Sequence, residues 1–514
     1  MSQRFLEEID ELIRARYTLL WVVTWEEERA RKLLAQVANK QQKALFEWSI
    51  TDGLRRVTGP QESGSAPAKR ERDALALLNE ILQADTAALY VLKDFHNYLG
   101  APEIVRQVRD LGFALRNTRK TIIIVSPKVQ IPLELEKSIT IVDLPLPTYE
   151  ELANLLKEMA TSSSGTRRFR ISLTPQEADA FTKAALGLTL GEAENAFAKA
   201  IVRDNVLDGN DLQALTDEKK QVVRKSGLLE YCDVTEPMHH IGGMDLLKDW
   251  LAKRLRAFSP EAQAYGLPAP RGVLLLGVQG CGKSLMAKCV AAAWRLPLLR
   301  MDMSRIFQGY IGSSEDNMRR ALQMIESLAP VVLWVDEIEK ALSGTEASGA
   351  VDAGTTARVV AQFLTWTQEK KSPAFIIATA NGIHGLPPEL LRKGRLDEIF
   401  FVDLPRGRER ADIFQIHLRK LGRDPSKFDL RELVQGSKGF SGAEIEQAII
   451  SALHDSFFEN RELETRDVIK NLAETVPLSR TMREPIDELR AWARNRTRPV
   501  SSLQAVNQMA ETEP

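Results

Sequence analysis

The run Gly277-Val278-Gln279-Gly280-Cys281-Gly282-Lys283-Ser284 sits between an apolar segment, GVLLLG at 272–277, and a helix-patterned one, KSLMAKCVAAAW at 283–294. Few folds accommodate a glycine-rich loop ending in Lys-Ser between a strand and a helix. The glycines let successive backbone N–H groups curl around phosphates, and the helix N-terminus adds positive potential. Lys283 is placed to reach the β- and γ-phosphates, and Ser284 to ligate Mg²⁺. Gly277, Gly280, Cys281, Gly282, Lys283 and Ser284 are therefore predicted to hold ATP at the carboxyl edge of a parallel sheet.

The rest of the chain alternates in the same manner. Apolar runs at 18–24, 88–94, 121–126 and 138–145 in the first half, and at 272–277, 297–303, 331–337, 374–381 and 398–405 in the second, are separated by helix-period segments. Such alternation implies βαβ units and an α/β fold class. SITIVDLP (138–145) resembles EIFFVDLP (398–405), and GLTLGEAENA (187–196) resembles GFSGAEIEQA (439–448), which suggests either an internal duplication or chance similarity between α/β segments. Pro/Gly/Ser-rich stretches at 58–68 and 161–166 read as loops, and 206–236 as a charged, broken linker.

Past the glycine-rich loop, the strand VVLWV ends in Asp336-Glu337. Carboxylates at a strand tip lie beside the phosphates, where Asp336 would hold the Mg²⁺ shell and Glu337 would polarise the attacking water. Glu339 and Lys340 read as ordinary helix surface. Asn381 ends a neighbouring strand and is able to orient the water or sense the γ-phosphate. Arg392 and Arg395 bracket Gly394 in a turn and suit a guanidinium pair aimed at phosphate charge. A neighbouring subunit's ATP is their natural target.

These motifs together resemble the AAA ATPases over residues 237–480. IGGMDLLKDWLAKRL (241–255) is similar to the opening segment that packs on adenine, GFSGAEI (439–445) to the lid motif, and ATANGIHGLPPELLRKGRLDEIFFVDLP (378–405) to the second region of homology. The resemblance implies an AAA+ P-loop NTPase module, a parallel sheet plus helical lid. It places Ile241, Gly242, Leu285, Gly442 and Ala443 against the nucleotide, makes Asn381 the sensor and makes Arg392 and Arg395 the arginine fingers of a hexamer. Tyr310-Ile311-Gly312 resembles the first pore loop of AAA unfoldases; a packed tyrosine in a subunit contact is the other reading. Residues 343–356 fit a mobile second pore loop or a merely disordered one. VQGCG stands where most members read PPGTG. Over nearly the whole chain, the sequence is similar to AAA ATPases of the hypothetical-chloroplast-reading-frame (ycf) type of cyanobacteria and plastids.

Seen beside this module, the first half reads as a degenerate copy: TLLWVV is followed by Thr24-Trp25-Glu26-Glu27-Glu28, without a glycine and with three carboxylates that would repel phosphate. The expected division is an AAA-like domain without a P-loop at 1–205, a linker at 206–236, the large ATPase subdomain at 237–405, a helical lid at 406–478, a helix at 479–498 and a disordered tail at 499–514.

Composition limits the alternatives. With 69 Lys+Arg against 70 Asp+Glu, no global charge points to nucleic acid or anionic lipid. The arginine-rich 480–498 stretch reads as an amphipathic helix packing on the lid or a neighbour. Cys232, Cys281 and Cys289 form no C-x-x-C pair, and a reducing compartment fits them. Cys281 is either an inert filler or, at a helix N-terminus, an activated thiol. No H-E-x-x-H is present, which excludes a fused zinc protease, and no apolar run approaches the ~18 residues of a membrane span. The first residues are acidic and amphipathic, unlike a signal or transit peptide, so a cytoplasmic protein is expected, or a stromal one if organellar. The reading is an ATPase ring that remodels or translocates an unknown protein client; the alternative is a nucleotide-gated scaffold that binds partners through its first domain without threading.

Overall fold

The computed structural model describes residues 2–58, 72–162, 170–234, 236–307, 313–340, 350–392 and 394–502. The chain divides into two compact units, Met1–Lys219 and Lys220–Pro514.

In the first unit, strands β1 (Leu19–Val23), β2 (Ala44–Ser49), β3 (Gly53–Thr58), β4 (Ala88–Lys93), β5 (Thr121–Ser126) and β6 (Thr140–Asp143) form a sheet in the order β3-β2-β4-β5-β1-β6. All pairings are parallel except β2 with β3. A parallel sheet needs crossovers that cover both faces, so its central strands are predominantly apolar. β5 shows this: Ile122 and Ile124 enter one core and Ile123 and Val125 the other, following the two-residue alternation of a strand. Helices Tyr149–Ser162, Pro175–Ala185, Leu190–Asp204 and Leu212–Ser226 follow, with a short parallel ribbon of β7 (Arg170–Ile171) and β8 (Val206–Leu207).

The second unit's strands are β9 (Leu229–Cys232), β10 (Gly272–Gly277), β11 (Leu298–Met301), β12 (Val331–Val335), β13 (Ala374–Ala380), β14 (Glu398–Val402) and β15 (Arg498–Pro499), ordered β15-β14-β10-β13-β12-β11-β9. Its five central strands are parallel, with β9 antiparallel on β11. Ranked along the chain, the parallel strands of both sheets lie in the same order, second-third-fourth-first-fifth. A duplicated module would leave this topology. The lid helices Gly407–Lys420, Leu430–Gly436, Gly442–Phe458 and Thr465–Glu474 enclose a core of their own around Phe414, Leu433, Ile445, Ile449 and Val468.

Several expected boundaries are corrected. Residues 206–236 are no linker. The helix Leu212–Ser226 carries the unit boundary expected after residue 205, and β9 joins the second unit's sheet. Its charged surface disguises Leu215 and Val223, which are buried on one face. The helix expected over 479–498 is broken into Leu478–Thr481 and Arg483–Ala493, after which β15 pairs with β14. The tail expected to be disordered from 499 is therefore ordered to 502, with Val500 and Ser501 buried. β2, β3, β9 and β15 were not foreseen. Of the expected second pore loop, 350–356 belong to the helix Ala350–Glu369 and 343–349 lie outside the described residues. The loop expected at 58–68 lies outside them too, apart from Thr58 at the end of β3, and of 161–166 only 161–162 are described, as the end of a helix.

Where the second unit has its glycine-rich loop, the first has only Thr24-Trp25-Glu26 between β1 and the helix Glu27–Lys40. Its carboxylates are not free to repel a ligand. Glu26 accepts the Leu190 N–H at 2.7 Å and a bond from Arg29 at 2.7 Å. Arg29 also donates to Glu151 at 3.0 Å and to the Pro145 carbonyl at 2.6 Å. Glu27 pairs with Lys93 at 3.2 Å and Glu28 with Arg31 at 2.6 Å. Burial pushes the Glu26 carboxyl above its usual range, so it depends on these donors. Arg29→Ala, which strands Glu26 beside Glu151, is expected to destabilise the first unit by about 3–5 kcal/mol, the loss typical of breaking a buried ion pair. Hydrogen exchange of the β1 and β5 amides measures it, and unchanged protection would contradict the assignment.

Candidate functional site

The glycine-rich loop closes because β10 and β14 approach too closely for a side chain at its start. Gly277 has φ 155°, and a Cβ there would collide with the Val402 carbonyl. Gly280, at φ 75°, faces the lid: a Cβ would lie 2.9 Å from Ser441 Oγ and 3.2 Å from Ala443 Cβ. The Ala443 N–H donates to the Gly280 carbonyl at 3.0 Å, so the first turn of a lid helix is bonded to the loop. Lys283 Nζ is buried and donates to the carbonyls of Gly277 and Val278 at 2.8 Å each. Burial lowers its pKa to about 8. An ammonium held against neutral carbonyls inside a loop of small residues fits a polyphosphate, which would supply the missing negative charge.

β12 and β13 are neighbours, and their carboxyl ends bring the acidic groups to this loop. Asp336 Oδ1 accepts from Ser284 Oγ at 3.1 Å and from Thr379 Oγ1 at 2.7 Å. Arg300 stands 3.4 Å from Asp336 Oδ2. Ser284 and Asp336 fit Mg²⁺, which usually keeps waters and takes its remaining ligands from phosphates. Glu337 adopts φ 48°, an uncommon conformation for a side-chain-bearing residue. Its N–H donates to Thr379 Oγ1 at 3.1 Å, and its carboxylate is held by Asn381 Nδ2 at 3.1 Å and Lys340 Nζ at 2.7 Å.

The same cleft, about 360 Å³, continues to a more apolar end. Ile241, Gly242 and Met244 line it from one side, and Ile413, His417, Gly442 and Ala443 from the lid. Most of the predicted nucleotide-binding and catalytic residues thus converge: Ile241, Gly242, Gly280, Cys281, Gly282, Lys283, Ser284, Leu285, Asp336, Glu337, Asn381, Gly442 and Ala443 line one cavity. Gly277 lies at its margin, offering its carbonyl to Lys283. Arg392 and Arg395 are not brought in. Arg392 is exposed, and Arg395 is half-buried with a buried guanidinium nitrogen that has no hydrogen-bond partner among the described residues. Tyr310, Ile311 and Gly312 lie outside the described residues. Cys281 is buried, and burial pushes its thiol up to about 12, which leaves it protonated and favours the inert filler over the activated thiol.

Two polar residues in contact with Asp336, Glu337 or Asn381 escaped sequence reasoning. Thr379 ties Asp336 to Glu337; its signal was a polar residue two before Asn381 in an apolar strand, hence on the same face. Glu339, read as helix surface, is buried, and its Oε1 accepts the Asn381 N–H at 3.0 Å. Burial raises its pKa, and its Oε2 has no partner among the described residues.

Comparison with known proteins gives the family. Residues 273–404 match the ATPase family associated with various cellular activities (AAA). Residues 5–144 match the N-terminal domain of SpoVK-like AAA ATPases, and 150–226 their second domain. The AAA domain-containing protein ycf46 of Pyropia yezoensis is 40% identical over 493 residues, covering 95% of this chain and 97% of that one. The chain belongs to the AAA family, in its ycf46 branch. The ycf46 protein of Trieres chinensis is 39% identical over 492 residues, covering 95% and 97%. More distantly, the ATPase family protein 2 homolog of Caenorhabditis elegans is 26% identical over 359 residues, 66% of this chain and 46% of that protein. Among the described residues no helix is long and apolar enough to cross a membrane.

Family membership implies nucleotide binding, and Lys283 gives it a pH signature. With nucleotide absent, Lys283 loses its proton near pH 8; phosphate charge favours the ammonium and raises that value. Above about pH 8 binding therefore takes up protons and affinity falls as pH rises, whereas at pH 7 the lysine is charged in both states. Calorimetry of ADP binding at pH 8.5 in two buffers of different ionisation enthalpy should register the uptake. Equal heats in both buffers would rule it out.

Proposed function

We propose that the chain hydrolyses ATP to ADP and phosphate in a homohexameric ring and uses the turnover to remodel or translocate a protein client in the cytosol or plastid stroma. The observation that carries the reading is the Glu337–Asn381 pair, set in the same cleft as Lys283 and the Ser284–Asp336 pair. Mg²⁺, held through Ser284 and Asp336, would neutralise charge on the phosphates. Glu337 accepts a proton from, or polarises, the attacking water, and Asn381 fixes its carboxylate in place. Lys283 leaves its loop carbonyls for the phosphates, while the backbone N–H groups of 280–284 cradle them.

Arg392 and Arg395 are assigned to a neighbouring subunit's ATP. A buried guanidinium nitrogen without a partner is costly, and a γ-phosphate across a subunit boundary would complete it. A finger supplied in trans is worth about 10³–10⁵ in rate in other phosphoryl-transfer systems. Arg395→Ala and Lys283→Ala subunits, each inactive alone, should recover turnover when mixed, because some boundaries pair an intact loop with intact fingers. A mixture that co-assembles and stays inactive would assign the arginines elsewhere.

The second reading, a nucleotide-gated scaffold, draws support from the first unit, whose loop position is closed by the Glu26–Arg29–Glu151 ion pairs rather than left for a ligand. Tyr310 separates the two. Under translocation, Tyr310→Ala abolishes client-stimulated turnover and unfolding in assembled rings, since an aromatic grip is lost. Under the scaffold reading the variant captures and releases clients like the parent.

A further inference from the structure

Val500 is drawn from a part of the sequence remote from every motif, yet it is 1% exposed and lines the nucleotide cleft. Four contacts bring it there. β15 adds to the sheet beside β14, with Arg498 opposite Phe400 and Pro499 opposite Phe401. Proline is tolerated in that place because an edge strand needs no donor on its outer side. The Val500 carbonyl accepts the Leu247 N–H at 3.1 Å, and the Ser502 N–H donates to Asp245 Oδ1 at 2.9 Å. Upstream, Arg490 grips Asp403, another cleft residue, with bonds of 2.8 and 3.0 Å. Leu247 and Asp245 belong to the helix that directly follows Ile241, Gly242 and Met244, and Val500 packs in one apolar cluster with Ile241, Met244, Leu247, Val278 and Cys281.

We propose that residues 498–502 form a nucleotide-responsive wall at the base end of the cleft, with Val500 a determinant of how tightly the base is held. The inference rests on the ATP reading above and adds a site that neither the loop nor the lid supplies. A two-residue edge strand is too short to stay docked by its own ladder. It is held by the cluster it joins, and a purine ring entering that cluster adds apolar surface to the same contact. Docking and base binding therefore stabilise each other by equal amounts, as linkage requires. No residue of 498–502 hydrogen-bonds to the 277–284 loop among the described contacts, and Val500 meets that loop only through apolar packing on Val278 and Cys281, so phosphate binding is affected less than base binding.

The test uses the full chain and two probes, ADP and inorganic tripolyphosphate, with affinities measured by calorimetry. Val500→Asp, which puts a charge into the apolar wall, should weaken ADP about tenfold or more, and Val500→Ala about threefold, from lost apolar contact alone. Tripolyphosphate affinity should not change in Val500→Ala and should fall less than ADP affinity in Val500→Asp, whose charge also acts on the phosphates. On the parent chain, ADP but not tripolyphosphate should slow hydrogen exchange at the amides of Val500, Ser501 and Ser502. The Ala variant keeps the test valid if the Asp variant fails to fold. Parent-like ADP affinity in a folded variant, or equal losses for ADP and tripolyphosphate, would overturn the proposal. A parent chain that binds tripolyphosphate yet shows no preference for ADP would overturn it too, while one that binds neither probe sinks the ATP reading itself.

Discussion

Strands buried on both faces can place polar chemistry only where they stop. In the second unit β10, β12 and β13 are apolar along their length but for Thr379 near the end of β13, and their carboxyl ends carry, in turn, the glycine-rich loop, Asp336-Glu337 and Asn381. The strand order sets these three ends side by side, so the glycine-rich loop, the acidic pair and Asn381 meet without any long-range search by flexible loops. Thr379 completes the arrangement because it is the last inward polar position of β13 before Asn381, and its hydroxyl serves Asp336 and the Glu337 amide together.

The loop and the lid are bound to one another through glycine. The absence of a side chain at Gly280 lets Ser441 and Ala443 approach, and the Ala443 amide then bonds the loop carbonyl. A group that repositions the 280–284 backbone must therefore pull on the helix Gly442–Phe458 and on the separate lid core behind it. This is how phosphate occupancy could become a movement of a rigid element. The first unit has its five parallel strands in the same order as the five central strands of the second but closes the corresponding junction with Glu26, Arg29 and Glu151. Ion pairs within the fold fill there the position that the second unit leaves as a cleft.

Much of the second unit was legible in the sequence because its signals are local. A glycine-rich loop, the strand before it and the helix after it are contiguous, and Asp336-Glu337 and Asn381 each follow a largely apolar run. The first unit's lack of a phosphate loop was legible for the same reason. Strands β2, β3, β9 and β15 were not, since ALFEWS, GLRRVT, LEYC and a two-residue Arg-Pro carry too few apolar positions to stand out from helices or loops. Charge misled twice: it disguised the helix Leu212–Ser226 as a linker and made Glu339 look like helix surface.

By itself the sequence determined the glycine-rich loop between strand and helix, the acidic pair and the asparagine at two strand ends and the α/β alternation, because each is written in a few consecutive residues whose backbone geometry is set by strand, turn and helix. Only the tertiary structure decided what those residues touch. That Glu26 is locked to Leu190 and Arg29 rather than repelling phosphate, that Glu339 receives the Asn381 amide, and that Val500 reaches the cleft all depend on strand order and burial, which bring together groups separated by tens to hundreds of residues. Spacing along a chain carries no record of such meetings. They follow from which apolar faces find each other, and a polar group's role is then fixed by the partners that burial leaves it.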